Sequence, residues 1–310
     1  ITDSRKFRAY ARIKALASSV RVGEYALRRN MSPGEILKIL SSGRSIEYVV
    51  TVSEGLNRFE IAGIVEKLGV GSRSEFLKMT ADPGLIRSLL GESYATLEGY
   101  LFPETYYVTR ASGARGLIKQ MVGKFKEKFA KVDLNSDTAV PLTPRQVVVL
   151  ASIVEKETAA PEERPVISSV FHNRLKKNMR LQTDPTVIYG IWEKTGTWDR
   201  NISRQDLITP TPYNTYVISG LPPAPIANPG FAAMQAAAKP AQSEFLFFVS
   251  RNDGTHVFSR EYGQHKNAVV EYQMNQKARS GKSWRDLKKR TNTPAVVKEA
   301  RSVPGAKGKK

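Results

Sequence analysis

The chain has 310 residues, of which 41% are hydrophobic and 25% charged; it has no cysteine and a formal net charge of +19. That length allows two domains or one large domain with an appendage, and the composition is that of a globular protein. The absence of cysteine excludes disulfides, thiolate nucleophiles and thiolate metal sites. No run of about 18 apolar residues offers a membrane span, and a first residue Ile1 in place of methionine points to a natural N-terminus that has been removed.

Residues 20–27 alternate enough to read as a strand. Ser32-Pro-Gly-Glu35 is a capping box with proline at the first helical position, and it predicts a short helix over 36–40 ending near Gly43. Residues 45–52 are β-rich, so strand, helix and strand form a small N-terminal unit over 1–54. Asn57 and Ser72 cap two further helices. Residues 97–108 are dense in aromatics and carry Glu98 and Glu104; such a stretch either lines a groove for sugar rings or packs an irregular piece of core. An amphipathic basic helix follows over 117–129, then a linker over 133–143.

Thr143-Pro144-Arg145-Gln146 opens the next helix with a capping residue, proline and glutamine in order. This helix is apolar almost throughout, then meets Glu155 and Glu157. Glu157 follows Val154, Ile153 and Leu150 by three, four and seven residues, so it stacks on their stripe. Glu155 points roughly 160° away, and the two acids cannot form a facing pair. A carboxylate held against apolar side chains keeps its proton near neutrality, as a general acid must. The plainer alternative is that both acids are solvated residues of a last turn.

Another helix spans 163–177 and a polar loop, 181–187, enters a short one. A brief helical turn covers 203–207. Residues 209–216 and 220–230 are proline-rich ordered loops, and 231–239 is an alanine-rich helix. Residues 245–249 read as a buried strand that turns at Asn252-Asp-Gly254 into 255–259, and 265–275 is a last helix. Gln276 to Lys310 carries twelve Lys or Arg against two acids and reads as a basic, disordered tail. Its one aromatic, Trp284, makes no interleaved pattern with the basic residues, so no nucleic-acid partner is expected.

His172, His256 and His265 lack metal-ligand spacing, and no phosphate loop or serine elbow occurs, so neither metal nor cofactor is expected. What remains is carboxylate chemistry among loops rich in Gln, Thr, Asp, Asn and Tyr, which suits glycoside cleavage by a general acid.

At these residues the chain resembles a known family. Leu150-Ala-Ser-Ile-Val-Glu-Lys-Glu-Thr158, Ser169-Val-Phe-His-Asn-Arg-Leu175, Met179-Arg-Leu-Gln-Thr-Asp-Pro-Thr-Val-Ile-Tyr-Gly190, Tyr213-Asn-Thr-Tyr216, Gly220-Leu-Pro-Pro223, Glu98-Gly-Tyr-Leu-Phe-Pro-Glu-Thr-Tyr106 and Asp253-Gly-Thr-His-Val-Phe258 are similar to the endolytic murein transglycosylase, or YceG-like, family. The resemblance implies an α+β fold: a LysM-like subdomain over 1–54, a mixed α/β catalytic domain with long ordered loops over 55–275, and the tail over 276–310. It implies non-hydrolytic cleavage of the MurNAc–GlcNAc bond inside peptidoglycan glycan strands, leaving 1,6-anhydro-MurNAc ends and terminating nascent strands. It further implies peptidoglycan synthases (penicillin-binding proteins) as partners, and a single inner-membrane helix upstream of Ile1 with the catalytic domain on the periplasmic side. The family's catalytic glutamate falls on Glu157, the residue that helical spacing selects. Gln182, Thr183, Asp184, Asn214 and Tyr216 are the expected substrate-binding residues, with hydrogen bonding that holds the long loops together as the plainer alternative, and Glu98 and Glu104 are candidates for a supporting or substrate-binding role. A wall-binding scaffold without catalysis and a hydrolytic muramidase are the competing readings.

Overall fold

The computed structural model describes residues 3–135, 140–158 and 160–275; the basic tail expected over 276–310 lies outside them. Helix and strand are mixed, and the strands form two small antiparallel sheets among the described residues. None of the described helices is long and apolar enough to cross a membrane.

The N-terminal part begins with α1 (Ser4–Ile13), capped by Asp3, whose side chain accepts from the N–H groups of Arg5 and Lys6. Helix α2 (Pro33–Ser42) has the expected capping box between Ser32 and Glu35, and it ends at Gly43 in the left-handed conformation. The strand expected over 20–27 does not form. Ile46 N–H reaches Glu24 O at 2.7 Å, but the Ser45 hydroxyl takes the Glu24 N–H at 2.9 Å, so the ladder stops after one rung. Of residues 45–52, only β1 (Tyr48–Thr51) is strand. It pairs with β2 (Thr105–Val108), which ties the first 54 residues to the segment that follows them.

Between β1 and β2 lie α3 (Arg58–Lys67), α4 (Arg73–Thr80) and α5 (Pro83–Leu90). Sequence patterning misses α1 and α5. Asp82-Pro83-Gly84 looks like a turn, but Asp82 accepts the Leu85 N–H at 2.6 Å and starts a helix that closes at Gly91. Helix α6 (Gly113–Phe129) then packs Leu117, Ile118, Met121 and Val122 onto Val50, Ile61, Phe76, Ile86 and Leu101, forming one core. Its Phe125 reaches instead into a second core, built around α7 (Pro144–Glu157).

Helix α7 is the axis of that second core. Every residue from Val147 to Glu155 is buried. It is covered by α11 (Phe231–Ala238), whose alanines allow close approach, by α8 (Arg164–Lys176) and by α9 (Asp184–Thr195). The short α10 (Arg204–Ile208) follows α9. The hairpin β3 (Phe247–Ser250) and β4 (His256–Ser259) pairs as expected, but only Val249 of β3 is buried, because the sheet has two strands and one open side. His256 Nδ1 lies 2.6 Å from Glu163 Oε2 and fastens the hairpin to the turn before α8. Helix α12 (Tyr262–Val269) starts three residues earlier than its pattern predicts and passes into a wider π turn at Val270–Met274.

The two cores are joined at Glu98. Its buried carboxylate accepts the Arg58 N–H at the start of α3 (3.0 Å to Oε2), the Tyr189 hydroxyl of α9 (3.0 Å) and the Asn228 amide (2.9 Å). Asn228 in turn accepts the N–H groups of Gly99 and Leu101, both at 2.9 Å. Gly99 itself has φ +86°, and a β-carbon there would lie 2.4 Å from Pro225 Cγ, so only glycine fits. Most of residues 97–108 is therefore core: Leu97, Tyr100, Leu101, Phe102, Tyr106 and Val108 are buried, while Glu104, Thr105 and Tyr107 are exposed.

Removing the Glu98 carboxylate would leave three buried donors unpaired. Glu98→Ala is expected to lower unfolding free energy by about 2–4 kcal/mol, read from urea denaturation, with Glu98→Gln costing less because it keeps one acceptor oxygen. Equal losses in the two variants would contradict this account.

Candidate active site

Glu157 is the last residue of α7, one turn beyond the fully buried Ile153 and Val154 and two beyond Leu150. Its own side chain is partly accessible. Crowding by the surrounding protein nevertheless pushes its carboxyl up to about 7. The Thr183 hydroxyl donates to Glu157 Oε1 and holds the shift back. The negative charge of Asp184 raises it, and the cation of Arg174 lowers it.

Thr183 stands at the N-cap position of α9, where its hydroxyl would ordinarily accept a backbone N–H of its own helix. It makes no such bond and turns to Glu157 instead. Its main chain is fixed from behind. Thr183 N–H donates to Thr215 Oγ1 at 3.0 Å, and Thr186 Oγ1 donates to Thr183 O at 2.7 Å. Gln182, just before it, is exposed and carries φ +49°, a strained backbone for a residue with a β-carbon. Asp184 is exposed at the first position of α9 and accepts the Tyr216 hydroxyl at 2.7 Å. Burial first, then the Asp184 charge, pushes the Tyr216 phenol far up, so it stays a donor.

The expected residues thus divide into two groups. Gln182, Thr183, Asp184 and Tyr216 gather beside Glu157 around one loop. Asn214 is fully buried behind them: its amide nitrogen donates to the carbonyls of Asp206, Leu207 and Thr209, at 2.7 Å for Thr209, and its oxygen accepts the Tyr216 N–H at 2.9 Å. It shapes the loop that presents Tyr216. Glu98 is the buried joint described above; burial pushes its carboxyl up to about 7 against its donors and the Arg58 charge. Glu104 is exposed beside β2, and its carbonyl accepts the Val52 N–H at 3.0 Å.

Glu155 points away from Glu157, as its spacing predicts. It is buried, bound by Arg164 at 3.2 Å and by the Gly230 N–H at 3.0 Å. Arg164, Gly230 and Arg174 are the residues that sequence reasoning missed here. Arg174 stood in a quoted motif without a role, while the other two reach Glu155 only through loop closure. A cavity of about 400 Å³ lies at the opposite end of α7, lined by Arg145, Gln146, Val149, Leu175, Leu221 and Pro223. It is roughly three helical turns from Glu157 and has no carboxylate, so the acid chemistry is not there.

Two outcomes follow from the state of Glu157. Its folded titration point lies above the ordinary 4.5, so its contribution to stability is complete below about 4.5 and lost as pH rises through about 7. Wild-type stability should therefore fall between pH 5 and 8, and Glu157→Gln should remove on the order of 1–2 kcal/mol of that fall in urea titrations at each pH. Thr183→Val keeps the shape and deletes the hydroxyl donor. It should move Glu157 titration above its wild-type position in ¹³C NMR of labelled glutamate; a downward move would refute the assignment of that bond.

The chain as a whole is similar to known proteins in sequence and fold. The YceG-like family profile covers residues 1–271. A Bacillus subtilis protein named endolytic murein transglycosylase is 31% identical over 287 residues, covering 88% of this chain and 78% of its own length. A Streptococcus pneumoniae protein of the same name is 30% identical and covers 86% of this chain, which spans only 53% of it. The crystal structure of a putative YceG-like protein from Listeria monocytogenes superposes with a TM-score of 0.63 at 30% identity, covering 86% of this chain and 90% of its own. The chain belongs to the YceG-like family.

Proposed function

We propose that the chain is an endolytic lytic transglycosylase of peptidoglycan, with Glu157 as its acid and base. The observation that carries this reading is a single carboxyl at the end of a buried helix, titrating near neutrality and held by one hydroxyl donor. The names of the Bacillus and Streptococcus relatives support the substrate class.

In the proposed reaction, protonated Glu157 gives its proton to the glycosidic oxygen, and the C1–O bond breaks with its electron pair going to that oxygen. The Glu157 carboxylate then removes the proton of the same sugar's C6 hydroxyl, whose oxygen bonds to C1. The 1,6-anhydro-MurNAc end forms without water, and Glu157 recovers its proton. Only one carboxyl is needed, because the sugar supplies the nucleophile. Asp184, Tyr216 and Gln182 orient the sugars flanking the bond, and the Asp184 charge favours oxocarbenium-like character at C1. We further propose that the enzyme shortens or terminates nascent strands beside penicillin-binding synthases, on the periplasmic face of the inner membrane, held by a helix upstream of Ile1. Residues 1–54, through α2 and β1, serve as an accessory LysM-like glycan contact.

Digestion of purified peptidoglycan followed by mass analysis tests this. Wild type is expected to release anhydro ends, and Glu157→Gln to lose about 10²–10⁴-fold of the rate while keeping its fold by circular dichroism. Reducing ends in place of anhydro ends would instead favour a hydrolase pairing Glu157 with the neighbouring Asp184, and binding without any product would favour a wall scaffold.

A further inference from the structure

Three arginines are buried among the described residues. Arg58 pairs with Glu193 at 2.9 Å, and Arg164 pairs with Glu155 at 3.2 Å. Arg174 has no carboxylate within 4 Å among the described residues. The hydrogen bonds of its guanidinium all go to main-chain carbonyls: Nε to Leu246 at 2.7 Å, and Nη1 to Leu181 at 2.7 Å and Arg180 at 3.3 Å. Its flat face lies 5.3 Å from the Phe247 ring, which covers it from the hairpin side. A buried cation bonded only to neutral groups is costly unless an opposite charge is felt nearby.

Two of those carbonyls decide where Arg174 acts. Arg180 and Leu181 immediately precede the strained Gln182 and the Thr183 whose hydroxyl binds Glu157. The guanidinium therefore clamps the start of the loop that meets the candidate acid. The charged and titratable groups around the pair are Asp184 on α9, Tyr216 on its loop, and His265 on α12, which stacks on the Phe247 ring at 5.2 Å. Among these, Asp184 acts against ionisation of Glu157, Tyr216 is a neutral phenol committed to Asp184, and His265 is held below its ordinary value by burial and by Arg174 itself. Glu155, on the same helix as Glu157, is already neutralised by Arg164.

We propose that Arg174 is a positioning residue for the reaction of Glu157: its guanidinium fixes the loop 180–183, and its unpaired charge stabilises the carboxylate that exists between proton donation and proton recovery. This rests on the transglycosylase reading for its mechanism, but not for its electrostatics. The two charges already sense each other, since Arg174 lowers Glu157 and Glu157 raises Arg174. Arginine suits both parts, because its planar fork spans successive carbonyls while remaining charged at every working pH.

The test separates charge from shape. Arg174→Gln keeps hydrogen-bond donors and removes the cation; Arg174→Lys keeps the cation and loses the fork. Glu157 acts first as an acid, so activity declines as pH rises through its titration. For Arg174→Gln, the descending limb of kcat/KM against pH is expected to move upward by roughly half a unit to one unit. For Arg174→Lys, the limb should stay in place while the rate falls by about 10-fold or more through loosening of the loop. The same shifts should appear in ¹³C titration of labelled Glu157, a readout that needs no substrate. If wild type yields no anhydro product, the functional reading fails while the titration still decides the role of Arg174. A folded Arg174→Gln whose limb and titration stay at the wild-type position would overturn the proposal. An equal upward shift in Arg174→Lys would overturn it too, and that variant decides the matter should Arg174→Gln not fold.

Discussion

Helix α7 is enclosed on every side, and that constraint governs what surrounds it. A buried apolar helix cannot simply end in two acids, because an ionised carboxylate out of water is costly. Each acid has its own solution. Glu155 is neutralised by Arg164, and its second oxygen takes the Gly230 N–H at the start of α11. A β-carbon at 230 would displace the half-exposed Glu54 carboxyl beside this contact. Glu157 receives no such partner. Burial pushes its carboxyl up, and one hydroxyl, a nearby anion and a more distant cation adjust it, which leaves it near the middle of its titration at neutral pH. Two acids separated by one residue thus meet opposite surroundings.

The same economy appears at Glu98, where a buried carboxylate is met by three donors from three parts of the chain. Its partner at the start of α3 is a helix N-terminus, which favours a negative charge. Glu98 therefore joins the cores, and through Tyr189 it positions α9, the helix whose first residues hold Thr183 and Asp184. Glu98, a candidate in the sequence for a supporting or a substrate-binding role, sets the frame in which Thr183 and Asp184 stand.

Local signals in the sequence were reliable where the physics is local. The caps read at Ser32, Asn57, Ser72 and Thr143 all form, because each needs only four consecutive residues. The spacing that separates Glu155 from Glu157 also holds, since helix geometry alone fixes it. Strand pairing was not readable in the same way: β1 finds its partner 54 residues away in β2, and the run at 20–27 loses its ladder to one serine hydroxyl. Polar loop residues were the hardest to assign. Asn214 and Tyr216 lie two positions apart in one motif, yet Asn214 turns inward to three carbonyls while Tyr216 reaches the open face. Composition cannot distinguish these roles, because both side chains satisfy the same kind of donor and acceptor chemistry and only loop closure decides which way each turns.

The position of Glu157 between two helix ends bears on how one residue could act as both acid and base. It closes α7, whose C-terminal dipole disfavours an anion, and it accepts a hydroxyl from the N-cap residue of α9, whose N-terminal dipole favours one. Burial raises its carboxyl most, and the Thr183 hydroxyl, Asp184 and Arg174 adjust it, so that neither protonation state is deeply preferred near neutrality. A dedicated general acid would gain from stronger burial, and a dedicated base from a closer cation. A group that must give up a proton and recover it within one turnover does best when both transfers run nearly downhill, which requires a titration point close to the working pH. The Thr183 hydroxyl, diverted from capping its own helix, keeps that balance from tipping fully towards the acid.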